Sequence, residues 1–230
     1  MHPKLLLFGA TGAIGGEISR RFTDAGWAVI AITRSPGHAD AVVWNPLDAN
    51  DNGSHVMTQG PFDAICWAQG QNCNDSIDSF DLELHRQLYD SNVGYILQSL
   101  AQVRRANALK SGAKLVVISS IWQEIARQNK LSYTVTKAAL KGLIHSLAAD
   151  LAADGILVNA VLPGVLDTPM TRSNLGPDQV STVESATLFN RLPTLYDVSG
   201  AVLALCGPTN SGITGQFIQV DLGYSNVRII

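Results

Sequence analysis

The chain has 230 residues, of which 46% are hydrophobic and only 15% charged, with 16 basic side chains against 19 acidic ones and a formal charge of -3. A charged fraction well under the usual quarter or so, beside an ordinary apolar fraction, excludes a disordered chain or a charged tail, and the length suffices for a full core without disulfide or metal staples. No basic run stands out, so nucleic acid and anionic membranes are not expected as partners, and a small molecule is.

The first predicted strand, Lys4 to Phe8, runs straight into Gly9-Ala10-Thr11-Gly12-Ala13-Ile14-Gly15-Gly16 and then a helix over Ile14 to Ala25, closed by Gly26. Glycines at a strand-to-helix turn let the backbone bend tightly and approach a pyrophosphate, whose charge is stabilised by free N–H groups and the positive end of the helix dipole. A dinucleotide site is therefore expected on Gly9, Thr11, Gly12, Ala13, Ile14 and Gly15; the alternative is a turn whose glycines serve packing alone. The second strand, Ala28 to Thr33, leads into Arg34-Ser35 with no acid. A carboxylate there would bind the ribose hydroxyls of NAD, whereas a guanidinium fork suits the extra phosphate of NADP, so NADP(H) is preferred over NAD(H), with Thr33, Arg34 and Ser35 as the selecting residues. A solvated surface arginine is the plainer reading of Arg34.

Short apolar runs continue to alternate with helical patterns: strands over Ala41 to Trp44, Ala64 to Trp67, Lys114 to Ser119, Leu157 to Val161 and Gln216 to Val220, and helices over Leu82 to Ala108, Tyr133 to Ala153 closed by Gly155, and Leu195 to Leu205 closed by Gly207. This is how a parallel sheet with helices on both faces reads, and seven strands make one sheet in a single domain spanning 1–230. The stretch Thr168 to Pro193 breaks the alternation, and only Gln179 to Phe189 looks weakly helical, which marks a substrate lid over 168–193.

At the start of the Tyr133 helix stands Tyr133-Thr134-Val135-Thr136-Lys137. Four-residue spacing puts phenol and ammonium on one face, where the cation favours phenolate and lets Tyr133 exchange a proton with a substrate oxygen. Ser120 follows the fifth strand, at the carboxyl end where open α/β sheets keep their ligands, and its hydroxyl could hold the same oxygen. The structural alternative for Ser120 is a cap or turn serine.

Cys66, Cys73 and Cys206 form no CxxC pair and have no histidines at zinc spacing, so neither a disulfide framework nor a metal site is expected. Only four apolar residues, Leu5 to Phe8, follow the first lysine, too few for a signal peptide or membrane span; a cytoplasmic protein is expected.

These motifs together resemble the short-chain dehydrogenase/reductase family in its compact single-domain form, including members like the 3-oxoacyl-carrier-protein reductases, and the likeness runs through essentially the whole chain. Further stretches agree in order: Asp48 in Pro46-Leu47-Asp48, Asp63 to Gly70, Asn92 in Ser91-Asn92-Val93-Gly94, Asn159 to Gly164 followed by Thr168, and Thr214 to Asp221. The resemblance implies a Rossmann-type doubly wound seven-stranded parallel sheet and a catalytic tetrad of Asn92, Ser120, Tyr133 and Lys137. In it Tyr133 is general acid or base, Ser120 orients the carbonyl, and Lys137 lowers the tyrosine pKa and binds the nicotinamide ribose, while Asn92 holds a water that relays protons to Lys137. It places Asp48 on the adenine, the turn Ala68, Gln69 and Gly70 beside the cofactor, and Pro163, Gly164 and Thr168 at the nicotinamide. Activity implied is hydride transfer between NADP(H) and a small-molecule ketone or secondary alcohol, by a homodimer or homotetramer. The rivals are a non-catalytic NADP-binding sensor of the same fold and an atypical nucleotide-sugar epimerase or dehydratase.

The chain also departs from the family's pattern. Gly9, Gly12 and Gly15 follow G-x-x-G-x-x-G rather than the compact spacing, Phe8 replaces a threonine, Trp67-Ala68-Gln69-Gly70 replaces Asn-Asn-Ala-Gly, and Leu222 stands where a glycine is usual. The replacement puts in question the hydrogen bonds that tie the fourth-strand turn to neighbouring strands, of which Gln69 could supply one. For the substrate, Met170, Leu175, Val180, Val183, Leu188 and Phe189 with Arg172 on the lid, and Trp122, Arg127 and Lys130 between Ser120 and Tyr133, suit an acyl chain on an acidic carrier or a hydroxylated anion; lid packing and solvated charge are the alternative.

Overall fold

A computed structural model describes residues 2–168, 171–172 and 176–227. Seven parallel strands, β1 (Lys4–Phe8), β2 (Ala28–Thr33), β3 (Val42–Val43), β4 (Phe62–Trp67), β5 (Leu109–Ile118), β6 (Leu157–Pro163) and β7 (Phe217–Val220), form one sheet in the order β3-β2-β1-β4-β5-β6-β7. The order reverses between β1 and β4, and a crevice opens there at the carboxyl ends of the strands.

Alternate residues of β1 serve opposite faces, as the two-residue period of a strand requires. Leu6 and Phe8 join the core beneath helices α4 (Tyr95–Arg105) and α5 (Leu131–Asp150), with Ile96, Leu100, Leu140 and Ile144. Leu5 and Leu7 face helices α1 (Ala13–Asp24) and α7 (Leu195–Cys206), with Ile18, Phe22, Val198 and Val202. Both faces are thus covered, and the doubly wound reading holds.

Three expectations change. The long helix predicted over Leu82 to Ala108 is two α-helices, α3 (Leu82–Tyr89) and α4, joined by a π-helical turn over Asp90–Gly94. Apolar periodicity cannot register one inserted residue, and such turns recur at functional sites. A four-residue helix, α2 (Ser54–Met57), is too short to leave a periodic signal. The weakly helical Gln179 to Phe189 is helix α6 over Pro177–Ser185, started by a proline at its first turn. Of the lid residues, Met170 and Leu175 lie outside the described residues.

The departures at Phe8 and Trp67 explain one another. The two are register partners on β1 and β4, and their rings stack with centroids 5.9 Å apart and planes 2° from parallel. Trp44 and Tyr95 close on Phe8 at 5.3 and 5.6 Å, and the Trp67 indole donates to the Ser99 hydroxyl at 2.9 Å. An aromatic cluster thus fills the space beneath the turn. The Gln69 carboxamide takes no part: it is buried and finds no hydrogen-bond partner among the described residues, contrary to the replacement role the sequence suggested. Leu222 adopts φ 54°, the left-handed conformation that accounts for a glycine being usual there.

Candidate active site

The turn after β1 is a cradle only glycine can build. A Cβ on Gly15 would sit 2.1 Å from the Gly9 carbonyl oxygen, and one on Gly9, whose φ is 73°, would sit 2.5 Å from the Gln69 nitrogen. Gly12 has more room, 3.4 Å to the Gly9 oxygen, so its missing side chain clears the outer approach instead. Gly12 caps α1 without a side-chain hydrogen bond, and no acid occupies the helix's first turn. The N–H groups of that turn, around Ala13 and Ile14, are therefore available to an anion.

Beside the cradle lies a cavity of about 290 Å³ lined by Gly9, Thr11, Gly12, Thr33, Arg34 and Ser35 on one side and by Ala68, Gln69 and Gly70 on the other. Nine of the residues expected at the cofactor site thus line it, with Ile32, His38 and Tyr95 as lining that sequence reasoning missed. Thr33 shapes the selecting turn: its hydroxyl donates to the Ser35 carbonyl at 3.2 Å and accepts from the Ser35 N–H at 3.3 Å. Arg34 is exposed, and no ion pair engages it among the described residues. Asp48 does not line this cavity. It is exposed in the turn after β3, and its carboxylate accepts from Asn50 N at 2.9 Å and Asn50 Nδ2 at 3.2 Å.

Behind Gly70 the four tetrad residues converge. The Lys137 ammonium is buried, donates to the Ile118 carbonyl at 3.2 Å and lies 5.7 Å from the centre of the Tyr133 ring. Burial lowers its pKa to about 8. The Tyr133 phenol is pushed above its ordinary range by burial, against which a hydrogen bond with Ser120 acts in the lowering direction. Ser120 also accepts from Trp122 N at 3.3 Å.

Asn92 sits in the π-turn and clasps the loop after β4: its Oδ1 accepts from Gln71 N at 2.8 Å, and its Nδ2 donates to Gln71 O and to Thr136 Oγ1, both at 3.0 Å. Its side chain is spent on these bonds, so its contact with the Tyr133 helix runs through Thr136. A Cβ on Gly70 would sit 3.2 Å from Asn92 Oδ1 and 3.6 Å from Lys137 Nζ, so that glycine marks where cradle and tetrad meet.

On the far side, Gly164 follows β6 and donates its N–H to Val220 O, while a Cβ on it would meet Asp221 at 2.9 Å. Pro163 is buried at the end of β6, and the Thr168 hydroxyl meets that of Thr171 at 3.1 Å. Arg172 is spent on Asp167 and Glu184.

A glycine cradle at a switch point, beside a Ser-Tyr-Lys group at the carboxyl ends of β4 and β5, defines a nucleotide-dependent α/β oxidoreductase. Residues 58–225 match the family model described as enoyl-(acyl carrier protein) reductase. The chain belongs to the short-chain dehydrogenase/reductase family, oxidoreductases that act on CH–OH groups. Similar curated proteins include the 2-keto-3-deoxy-L-fuconate dehydrogenase of Xanthomonas campestris, 29% identical over 98% of this chain and 81% of that protein. The cis-4-hydroxycyclohexanecarboxylate dehydrogenase of Sinomonas cyclohexanicum is 28% identical over 95% of both. Among solved structures, the aldohexose dehydrogenase of Thermoplasma acidophilum superposes with a TM-score of 0.87 at 26% identity, covering all of this chain and 96% of the other.

Proposed function

We propose that the chain transfers a hydride between NADP(H) and a ketone or secondary alcohol, working as a carbonyl reductase with Tyr133 as general acid. The observation that carries this reading is the Ser120 hydroxyl set against the Tyr133 phenol, with the Lys137 ammonium buried behind the ring. When bound, the nicotinamide supplies the hydride to the carbonyl carbon. Ser120 hydrogen-bonds the carbonyl oxygen and holds it against the phenol. Tyr133 gives its proton to that oxygen as the C–O double bond becomes single, and Lys137 holds charge close to the phenolate left behind.

The cofactor reading is supported by the glycine cradle, by the first turn of α1 with no side-chain cap, and by Arg34 at the same cavity, where a guanidinium suits a 2′-phosphate and the His38 ring adds a hydrogen-bonding group. Pro163, Gly164 and Thr168 would border the nicotinamide, with residues 168–193 as the lid of a single-domain enzyme. Two relatives' names denote hydroxy or keto carboxylates, which places oxygenated small molecules among the substrates to try first. Leu97 on α4 and Val135 on α5 leave large apolar side chains 48% and 43% exposed, a surface that association into a homodimer or homotetramer would cover. No described helix is long and apolar enough to cross a membrane, in keeping with work in the cytoplasm.

The test is Tyr133→Phe. Reduction of a panel of ketones, followed by NADPH absorbance, should fall at least a thousandfold by our order-of-magnitude reckoning, while NADPH affinity stays within about threefold. Turnover surviving the change would overturn the assignment. Arg34→Ala should weaken NADPH about tenfold or more and leave NADH nearly unaffected.

A further inference from the structure

Two cavities lie along the segment between Ser120 and Tyr133, and Arg127 lines both. One, of about 600 Å³, has an apolar wall of Trp122, Ile125, Ala126 and Val227. The other, of about 240 Å³, is polar and is lined by Lys130, Asn129, Asn74, Ser79 and Asp75 besides Arg127. Both adjoin the chemistry: Trp122 donates its N–H to the Ser120 hydroxyl, and Lys130 Nζ lies 5.8 Å from the centre of the Tyr133 ring.

The cations here are not balanced. Arg172 is paired with Asp167 and Glu184, Arg191 with Asp197, and Lys141 with Glu124. Arg127 has no ion pair among the described residues. Lys130 is only 9% exposed, yet its ammonium meets only neutral acceptors, Asn72 Oδ1 at 2.8 Å and the Cys73 carbonyl at 3.0 Å. Burial and then the neighbouring Arg127 both push Lys130 toward giving up its proton, with Cys73 and Asp75 acting the other way. Asp75, the one carboxylate on the polar cavity, is already engaged by Ser132 and by the Cys73 thiol. Two cations side by side, one desolvated and neither neutralised, make a place where an anion is stabilised.

We infer that the substrate carries a carboxylate, held by Arg127 with Lys130 behind it, and an apolar body that lies along Trp122 and Ile125 while its carbonyl meets Ser120 and Tyr133. This inference rests on the proposed reductase function and adds the substrate class. A guanidinium at the junction of the two cavities can take a carboxylate through two parallel N–H bonds while the hydrocarbon stays in the larger cavity.

The test compares keto acids with their methyl esters, 4-oxocyclohexanecarboxylate and 4-oxopentanoate among them, in the wild type, Arg127→Gln and Arg127→Lys. The wild type should favour at least one acid over its ester by about tenfold or more in kcat/KM, and Arg127→Gln should abolish that preference chiefly through KM, with Arg127→Lys in between. Because Arg127 is exposed, unchanged thermal melting is expected to show that the variants are folded. A wild type that favours the esters throughout, or an acid-to-ester ratio unmoved by Arg127→Gln, overturns the inference. Failure to reduce any ketone, charged or neutral, would instead remove the reductase reading beneath it.

Discussion

Asp75 caps the helix that carries Tyr133: its carboxylate accepts from the Ser132 N–H, at 3.0 Å to Oδ1 and 3.3 Å to Oδ2, one residue before the tyrosine and 57 residues away in the chain. Helix α5 has no cap of its own, since the side chain of Lys130 at the N-cap makes no capping bond and no acid stands in the first turn. The first-turn donors are therefore satisfied from the loop after β4, and Leu131 N adds a bond to the Asp75 carbonyl.

Asp75→Ala should cost about 1–2 kcal/mol in urea unfolding and lower kcat more than it raises KM, while Asp75→Asn, which keeps an acceptor, should recover much of both. Burial alone would raise this carboxyl, but hydrogen bonds from Ser132 and then Cys73 outweigh it and hold the pKa below 3.8. Folding is therefore stabilised above the unfolded value, and that share is lost as the pH falls through the native one. Acid unfolding midpoints of wild type and Asp75→Asn should converge at low pH; a constant gap would contradict the cap.

The stack of Phe8 on Trp67 should appear as coupling. Phe8→Ala and Trp67→Ala should each cost about 3–5 kcal/mol, and the double variant should cost less than their sum by roughly 0.5–1.5 kcal/mol. Strict additivity in denaturant unfolding would mean that the rings only share a core.

The cradle glycines should separate into two kinds. Gly15→Ala must displace backbone, so we expect a loss of about 2 kcal/mol or more and poor binding together. Gly12→Ala meets only an ordinary contact and should stay within about 1 kcal/mol of wild type, yet weaken NADPH about tenfold by crowding the phosphate approach. Calorimetry on both variants checks this, and equal NADPH affinity in wild type and Gly12→Ala would count against a phosphate at that turn.

Lys137 should leave a signature at alkaline pH. Its native pKa of about 8 lies below the ordinary lysine value of 10.5, so between these values the unfolded chain binds more protons and stability from this group rises with pH. Across that window the gain approaches roughly 3 kcal/mol. Urea unfolding at several pH values should show wild type gaining on Lys137→Met as the pH climbs from 8; parallel curves would mean that the ammonium is not desolvated.

What the sequence determined by itself was set by local chemistry. Short apolar runs and helical patterns located all seven strands and the main helices, glycine spacing after β1 located the cradle, and Tyr133 and Lys137 share a helix face through their spacing alone. What only the tertiary structure decided depends on residues far apart in the chain. Asn92 was a polar residue in a helix until Gln71 and Thr136 came to meet it across a π-turn, and Asp75 had no role until α5 arrived without a cap. Asp48 stood in the right order in the chain, yet its side chain is bonded locally in an exposed turn. Phe8 and Trp67 were separate oddities until β1 and β4 paired and made them one contact. The charge-poor composition hid the same kind of fact: Arg172 and Arg127 look alike in sequence, but folding neutralises one and leaves the other beside Lys130, because an ion pair is a matter of distance in space.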